Sequence, residues 1–343
     1  MSRGGVSGRW PRLGAVVLAA LACGMAFADT LASAGAVAGG ERPRFEEELA
    51  ESCHYVEAGP PGPRGNRLVL REFAGHTLRR RGDLISTDGG VNCERLGVTV
   101  EEVDRIVFET GPEGVEIDER GGLFAPGATP ERNGSEIEIE IREADKLTLH
   151  RGRGASRTRI ENGPGGTIGF NLNPPADRDR PDQDVWMSRA ELERIKVYAE
   201  QGEDLIDSRR LTGVADNPNR FLRFRFFGGA GDDTILGGRE EEEVIDGPGD
   251  DLIRAGGNDD EIGFGPGRDT VYGGRDDGLF YEFIGLGPRS LDAADSLFGG
   301  PGADFLSDRN GKQDLMRCGP GSDEVEREAR DRLGRDCERY SRR

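Results

Sequence analysis

From Gly228 onward one apolar residue returns at every ninth position. Six consecutive nonapeptides, GGAGDDTIL, GGREEEEVI, DGPGDDLIR, AGGNDDEIG, FGPGRDTVY and GGRDDGLFY, fill residues 228–281 without a gap. Their eighth positions are Ile235, Val244, Ile253, Ile262, Val271 and Phe280, and their sixth are Asp233, Glu242, Asp251, Asp260, Asp269 and Gly278. Chance does not hold an apolar residue in phase over six such units. After an insertion at 282–289 the pattern returns in SLDAADSLF and GGPGADFLS, which place Asp295 and Asp304 sixth and Leu297 and Leu306 eighth. The next unit, DRNGKQDLM, keeps Leu315 at the apolar position and is expected to lack the acid. CGPGSDEVE then restarts one residue late, with Asp323 and Val325.

Upstream, the period changes to two. Ile137, Ile139 and Ile141 alternate with Glu136, Glu138 and Glu140, the pattern of a half-buried strand. Further short strands are expected at 67–72, 83–87, 104–109, 114–118, 157–160 and 167–172, separated by turn clusters. Gly202-Glu203-Asp204-Leu205-Ile206 reads as the second half of a worn nonapeptide. One stretch is ambiguous. Ser188 and Glu191 form a capping box ahead of good helix formers, yet Ile195 and Val197 run straight into the Gly202 turn. The strand reading is preferred, because a helix would interrupt a stack.

Composition narrows the class. The 343 residues include 54 Gly and 18 Pro, only 34% are hydrophobic and 6% aromatic, and the net charge is −19. A thick layered core is excluded, which leaves disorder or a thin repeat. The negative charge argues against nucleic acid or anionic lipid as the main partner, since both call for surplus Lys and Arg. Residues 228–272 alone hold 13 acidic and 3 basic side chains. Such density keeps a segment expanded unless cations neutralise it, so folding and metal binding are expected to be one event.

These nonapeptides resemble the RTX, or haemolysin-type, calcium-binding repeat G-G-x-G-x-D-x-U-x. The resemblance implies an all-β parallel β-roll or β-helix solenoid with a degenerate, strand-rich N-terminal half. It also implies Ca²⁺ as the ion, and nine residues per half coil, so that residues 18 apart stack. Glycines permit the positive φ of the turns and bring carbonyls close to an ion, while the sixth-position Asp adds a charged oxygen for a cation that takes six to eight. The implied ligand set is Gly228, Gly229, Gly231 and Asp233; Gly247, Gly249 and Asp251; Gly265, Gly267 and Asp269; and Gly299, Gly300, Gly302 and Asp304. Two full sites are expected along Asp233, Asp251 and Asp269. The opposite face stacks Glu242, Asp260 and Gly278, where Glu240 also replaces a turn glycine, so at most one weak site is expected there, using Asp260. With the VNC of 91–93, the FAPGATPE of 124–131, the SEIEI of 135–139 and an arginine-rich tail, the whole plan is similar to exported calcium-binding repeat proteins of actinobacteria. It departs from the RTX toxins, whose export signal is C-terminal.

Residues 1–28 read as a secretory leader: Arg3, Arg9 and Arg12, an apolar run from Leu13 to Phe27, and an A-x-A site at 26–28. A lipoprotein at Cys23 is the weaker alternative. Secretion leaves four cysteines, Cys53, Cys93, Cys318 and Cys337, and of three possible pairings 53–93 with 318–337 is the natural one. The expected organisation is a linker and start of a disulfide cap at 29–65, a degenerate all-β region at 66–227, the repeats at 228–326 and a disulfide-closed tail at 327–343. No H-E-x-x-H or G-x-S-x-G motif accompanies the repeats, His54, His76 and His150 have no ligand-like spacing, and Arg151, Arg153, Arg157 and Arg159 read as a solvated basic loop. The expected function is non-enzymatic: an exported, calcium-folded solenoid that meets cell-envelope or matrix polymers and has no membrane span. The alternative is a polysaccharide-active β-helix enzyme (lyase, epimerase or hydrolase) with a calcium-binding stability tail.

Overall fold

A strand with a single inward residue every nine positions cannot bury itself alone; it needs an identical neighbour above and below. The computed structural model describes residues 53–57, 66–71, 77–88, 93–109, 114–124, 137–172, 184–189, 192–213, 222–282 and 292–342. The leader, most of the linker and of FAPGATPE, and nearly all of the 282–289 insertion lie outside these residues. Successive strands alternate between two sheets, of 14 and 12 strands, so each coil contributes one strand to each sheet over most of the length. There is no α-helix among the described residues, hence none long and apolar enough to cross a membrane. The fold is the expected all-β parallel solenoid.

Through the repeats the register is regular. Ile235 pairs with Ile253 and Ile253 with Val271 in the first sheet; Val244 pairs with Ile262 and Ile262 with Phe280 in the second. Register is kept on either side of the insertion, since Val271 pairs with Leu297 and Phe280 with Leu306. Ile235, Val244, Ile253, Ile262, Val271, Leu297, Leu306 and Val325 are buried in one continuous core shared by both sheets.

One unit is phased differently from the expectation. In the strand Leu315–Arg317, Leu315 pairs with Ser296 while Met316 pairs with Leu297 and is fully buried. The extra residue of that unit therefore lies in the turn before the acid, and Asp314 occupies the acidic position that DRNGKQDLM was expected to lack.

The upstream half is the same stack, not a separate domain type. Strands Arg67–Leu70, Leu84–Thr87, Arg105–Phe108, Val115–Asp118, Arg157–Asn162 and Thr167–Leu172 fall where expected, and 194–198 is a strand. It pairs in parallel with Lys146–His150 on one side and Arg223–Phe227 on the other. Ile206 pairs with Ile235, so the Gly202 segment is the coil that the clear repeats stack on. Two departures break the parallel order. Arg157–Asn162, Thr167–Leu172 and Val185–Ser188 run as an antiparallel excursion inside the first sheet. The N-terminal end closes with the antiparallel pairs Cys53–Val56 with Arg67–Leu70 and Thr77–Arg81 with Leu84–Thr87. Disulfides join Cys53 to Cys93 and Cys318 to Cys337, one at each end of the stack.

Candidate metal centre

The turns that lead into Thr234–Leu236, Leu252–Gly256 and Thr270–Gly274 of the first sheet are forced by glycine. Gly247 has φ +110°, and a Cβ there would sit 1.8 Å from the Gly229 carbonyl oxygen of the coil above. Gly265 repeats the relation, its Cβ falling 2.1 Å from the Gly247 oxygen. Adjacent strands lie about 4.8 Å apart, so a side chain at these positions has no room, and the glycines align backbone carbonyls in a column.

Beside that column runs a ladder of aspartates. Asp251 Oδ1 accepts from the Asp233 backbone N–H at 2.6 Å, Asp269 Oδ1 from that of Asp251 at 2.9 Å, and Asp295 Oδ1 from that of Asp269 at 2.6 Å. Asp314 continues it, accepting from Asp295 N–H at 2.9 Å. The ladder also extends upstream of the repeats: Asp233 accepts from Asp204 N–H, and Asp204 from Ser156 N–H. Each carboxylate thus spends one oxygen on the neighbouring coil. The second oxygen, Oδ2, is buried without a hydrogen-bond partner at Asp204, Asp233, Asp251, Asp269 and Asp314.

Position one of the unit decides what meets that oxygen. At Gly228 a Cβ would fall 2.6 Å from Asp233 Oδ2, so a side chain placed there points at the orphaned atom. The corresponding residue one coil on is Asp246. It is fully buried, its Oδ1 accepts from Gly247 and Gly265 N–H at 2.5 and 2.8 Å, and its Oδ2 has no partner. Carboxylate oxygens of Asp246, Asp251 and Asp269 all lie within 4.8 Å of one another, and those of Asp295, Asp308 and Asp314 form a second such group. In the second, Asn310 Nδ2 donates to Asp295 Oδ2 at 2.8 Å.

Removal from water is the main force on these groups. Burial pushes Asp233 up to about 7, Asp251 to about 8 and Asp269 to about 9, and facing carboxylates add to each rise. Asp246 is raised well above the carboxylate range by burial first, then by Asp269 and Asp251. Asp295 rises to about 7 and Asp314 to about 6 for the same reasons. Buried like charges with unpaired oxygens are costly unless a cation meets them. The donors are carboxylate oxygens set beside backbone carbonyls, the set that a hard divalent ion such as calcium takes. The residues therefore fit that ion.

The turns into the second sheet are less endowed. Asp260 Oδ1 accepts from Glu242 N–H at 2.9 Å, leaving Glu242 Oε2 and Asp260 Oδ2 unpartnered, and burial lifts Asp260 to about 7. Gly278 supplies no carboxylate; its N–H donates to Asp304 Oδ1, and Asp304 N–H to Asp323 Oδ1. Gly299 opens the space for Asp304, since a Cβ there would fall 2.3 Å from Asp304 Oδ2. Gly302 carries φ +154° and Gly300 φ +112° in the same turn.

All the glycines and acids singled out from the sequence thus lie in inter-strand turns, but both groups of three carboxylates belong to the first series. Asp246, Asp308 and Asp314 were missed. The visible signal for Asp246 and Asp308 was an Asp at the first position of a unit, where glycine is the rule. The basic loop also needs correcting. Arg151 is 1% exposed and ion-paired to the buried Glu119; burial raises Asp204, and the field of Arg151 offsets a small part of that rise.

No curated protein and no solved structure matches the chain. The family model for the RTX calcium-binding nonapeptide repeat does match, in four copies over residues 225–241, 241–271 and 291–312, so in these segments the chain is built of RTX-type calcium-binding repeats.

Proposed function

We propose that the protein is an exported, non-enzymatic scaffold whose C-terminal coils are completed by calcium. The observation that carries this reading is the regular series of buried aspartates whose Oδ1 is satisfied by the neighbouring coil and whose Oδ2, at Asp204, Asp233, Asp251, Asp269 and Asp314, is unsatisfied. Calcium supplies the positive charge that lets these carboxyls ionise inside the stack. The chain's own residues do the rest: the glycines hold carbonyls in line, the Oδ1 atoms set coil spacing, and Asp246 and Asp308 add a third carboxylate at two levels. Extracellular modules bind calcium at about 10⁻⁴–10⁻³ M, a range in which export itself would trigger completion of the fold. The proposed role is a rigid extracellular surface that engages cell-envelope or matrix polymers.

The test is a calcium titration of the full chain, followed by far-UV circular dichroism and thermal melting, with magnesium in parallel. A gain of β signal and a raised melting temperature at millimolar calcium support the reading. No change up to about 10 mM, well above the extracellular range, overturns it.

A further inference from the structure

Three adjacent strands of the second sheet, Lys146–His150, Arg194–Tyr198 and Arg223–Phe227, are paired in parallel register. Their inward residues, Leu147, Leu149, Ile195, Val197, Phe224 and Phe226, are buried in the core. The alternation of a strand sends the intervening residues to the opposite face. Those nine positions form three rows along the solenoid axis: Lys146, Arg194 and Arg223; Thr148, Lys196 and Arg225; His150, Tyr198 and Phe227. The block has five cationic side chains and no carboxylate, on a chain of net charge −19.

Such an arrangement is unfavourable by itself. Like charges directly opposite on neighbouring strands repel, and Lys196 is held below the usual lysine range by burial and by Arg225 and Arg194. Only the rims are neutralised, with Lys146 3.1 Å from Asp145 and Arg225 2.7 Å from Glu243. Among the described residues Arg194, Lys196 and Arg223 have no ion-pair partner, and Arg194 Nε is buried without a hydrogen bond. The third row is rigid. His150 stacks on Tyr198 at 4.5 Å and Tyr198 on Phe227 at 4.3 Å, with nearly parallel planes. Ring faces are used up within the stack and Glu200 and Glu116 fix the outer ring, lying 2.8 and 3.6 Å from His150, so the row presents a fixed ridge of rings beside the cations.

We propose that this face is a docking surface for an acidic polysaccharide of the uronate class, lying along the solenoid axis between the ring ridge and the Lys146–Arg194–Arg223 row. Successive cations in a row are one strand apart, about 4.8 Å, and a polyuronate carries one carboxylate per sugar ring, a repeat close to that spacing. Three cations in line therefore meet the carboxylates of a short run of sugar rings, and Lys196 and Arg225, in the middle row, lie beneath the polymer. Nucleic acid fits less well, because its affinity grows with the number of phosphates met and acidic strands bound the patch on either side, at Glu116 and at Glu243 and Glu261. The inference names the polymer of the proposed scaffold role but does not depend on calcium occupancy, since none of the five cations lies in a repeat turn.

The experiment uses the full chain at fixed millimolar calcium in affinity electrophoresis against polygalacturonate, dextran and sheared DNA. Polygalacturonate is expected to retard the protein in a salt-sensitive manner, with dextran and DNA having little effect. Arg194→Glu with Arg223→Glu should weaken retention roughly tenfold or more, while Arg153→Glu, an equal charge change per site on an exposed turn, leaves it unchanged. Arg223→Glu alone, at an exposed position, keeps the test valid if the double variant does not fold. Absence of retardation, equal retention on DNA or dextran, or an equal loss in Arg153→Glu overturns the proposal. Asp251→Asn separates the two readings: it impairs calcium binding and leaves polygalacturonate retention in place.

Discussion

Asp251→Asn should stabilise the calcium-free protein and cripple the calcium-bound one. Asp251 sits in the middle of the ladder, accepts from Asp233 N–H through Oδ1 and leaves Oδ2 buried against Asp246 and Asp269. Asparagine keeps the accepting oxygen and removes the charge. In the open chain the carboxyl titrates near 3.8, whereas burial in the folded chain moves it to about 8. A group with a raised folded value contributes stability that is full below 3.8 and is lost as the pH rises toward 8, so at pH 7 the calcium-free fold has to neutralise a carboxyl that the open chain leaves ionised. At roughly 1.4 kcal/mol per pH unit that costs about 4 kcal/mol, and compactness of the open chain trims it to about 2–4 kcal/mol. The variant lacks this cost, which corresponds to a melting temperature about 5–15 °C higher without calcium. With calcium the sign reverses. One of three carboxylates is gone and an amide N–H₂ faces the cation, a loss of about 2–3 kcal/mol, or roughly 30–150-fold in affinity. Thermal melts by circular dichroism in chelator and across a calcium series read both effects. A chelated variant that melts at or below the wild type, or an unchanged calcium midpoint, refutes the electrostatic reasoning. Glu242→Gln, in the series without a third carboxylate, should lose markedly less calcium affinity.

Other consequences are open to measurement. Because Asp233, Asp251 and Asp269 titrate at about 7 to 9 when the ion is absent, calcium uptake at neutral pH should release protons, and calorimetry in buffers of different ionisation enthalpy should detect them; affinity that does not fall between pH 8 and 6 contradicts this. By the same sign, the calcium-free protein should melt higher near pH 5 than near pH 8. Arg151→Met removes the ion pair of the buried Glu119 and should cost about 3–5 kcal/mol with or without calcium, so full rescue by calcium would show the pair to be marginal. Cys318→Ser with Cys337→Ser opens a link spanning 19 residues and should cost about 3 kcal/mol, read as a lower melting temperature and earlier proteolysis of the C-terminal end.

Much of the architecture was legible because a solenoid is periodic, and periodicity survives in the sequence. The ninefold phase assigned almost every inward residue, and it correctly set the strand at 194–198 against a helix-like capping box, since continuity of the stack outweighs local propensity. What escaped were features that the period does not encode. Leu315 looked like the inward residue of its unit, yet the extra residue lies in the turn, where Asn310 N–H donates to Asp308 Oδ1 and Lys312 N–H to Asn310 Oδ1. That local knot shifts Met316 into the core and Asp314 onto the ladder. Asp246 was hidden because it stands where glycine is usual, outside the sixth position that carries the acid. Arg151 looked solvated because its partner, Glu119, is 32 residues away. The antiparallel excursion from Arg157 to Ser188 rests on pairings between strands whose local patterns look like any others.

The two halves of the stack meet the same electrostatic demand by different means. Upstream, buried acids are answered by arginines within the chain. Asp118 lies 2.8 Å from Arg120, whose hydrogen bonds hold it below the carboxylate range. Burial alone would raise Asp207, but Arg209 at 2.9 Å overcomes that and leaves it lowered. From Asp233 to Asp314 no arginine among the described residues takes that place, and every ladder carboxyl is raised. Asp204 marks the change: it is raised by burial, yet still feels Arg151. The sign of the displacement therefore divides the chain near residue 210 into coils that carry their own counter-charge and coils that need one from outside. The self-neutralised coils present an edge, Leu205–Arg210, already in register for Thr234–Leu236. A parallel solenoid that had to nucleate every coil with calcium would begin from an open, highly charged chain, whereas this one offers a folded template to which each calcium-completed coil adds in turn. Hydrogen exchange in chelator should accordingly find protection at Ile253 and Val271 well below that at Ile195 and Val197; equal protection in both halves contradicts the division.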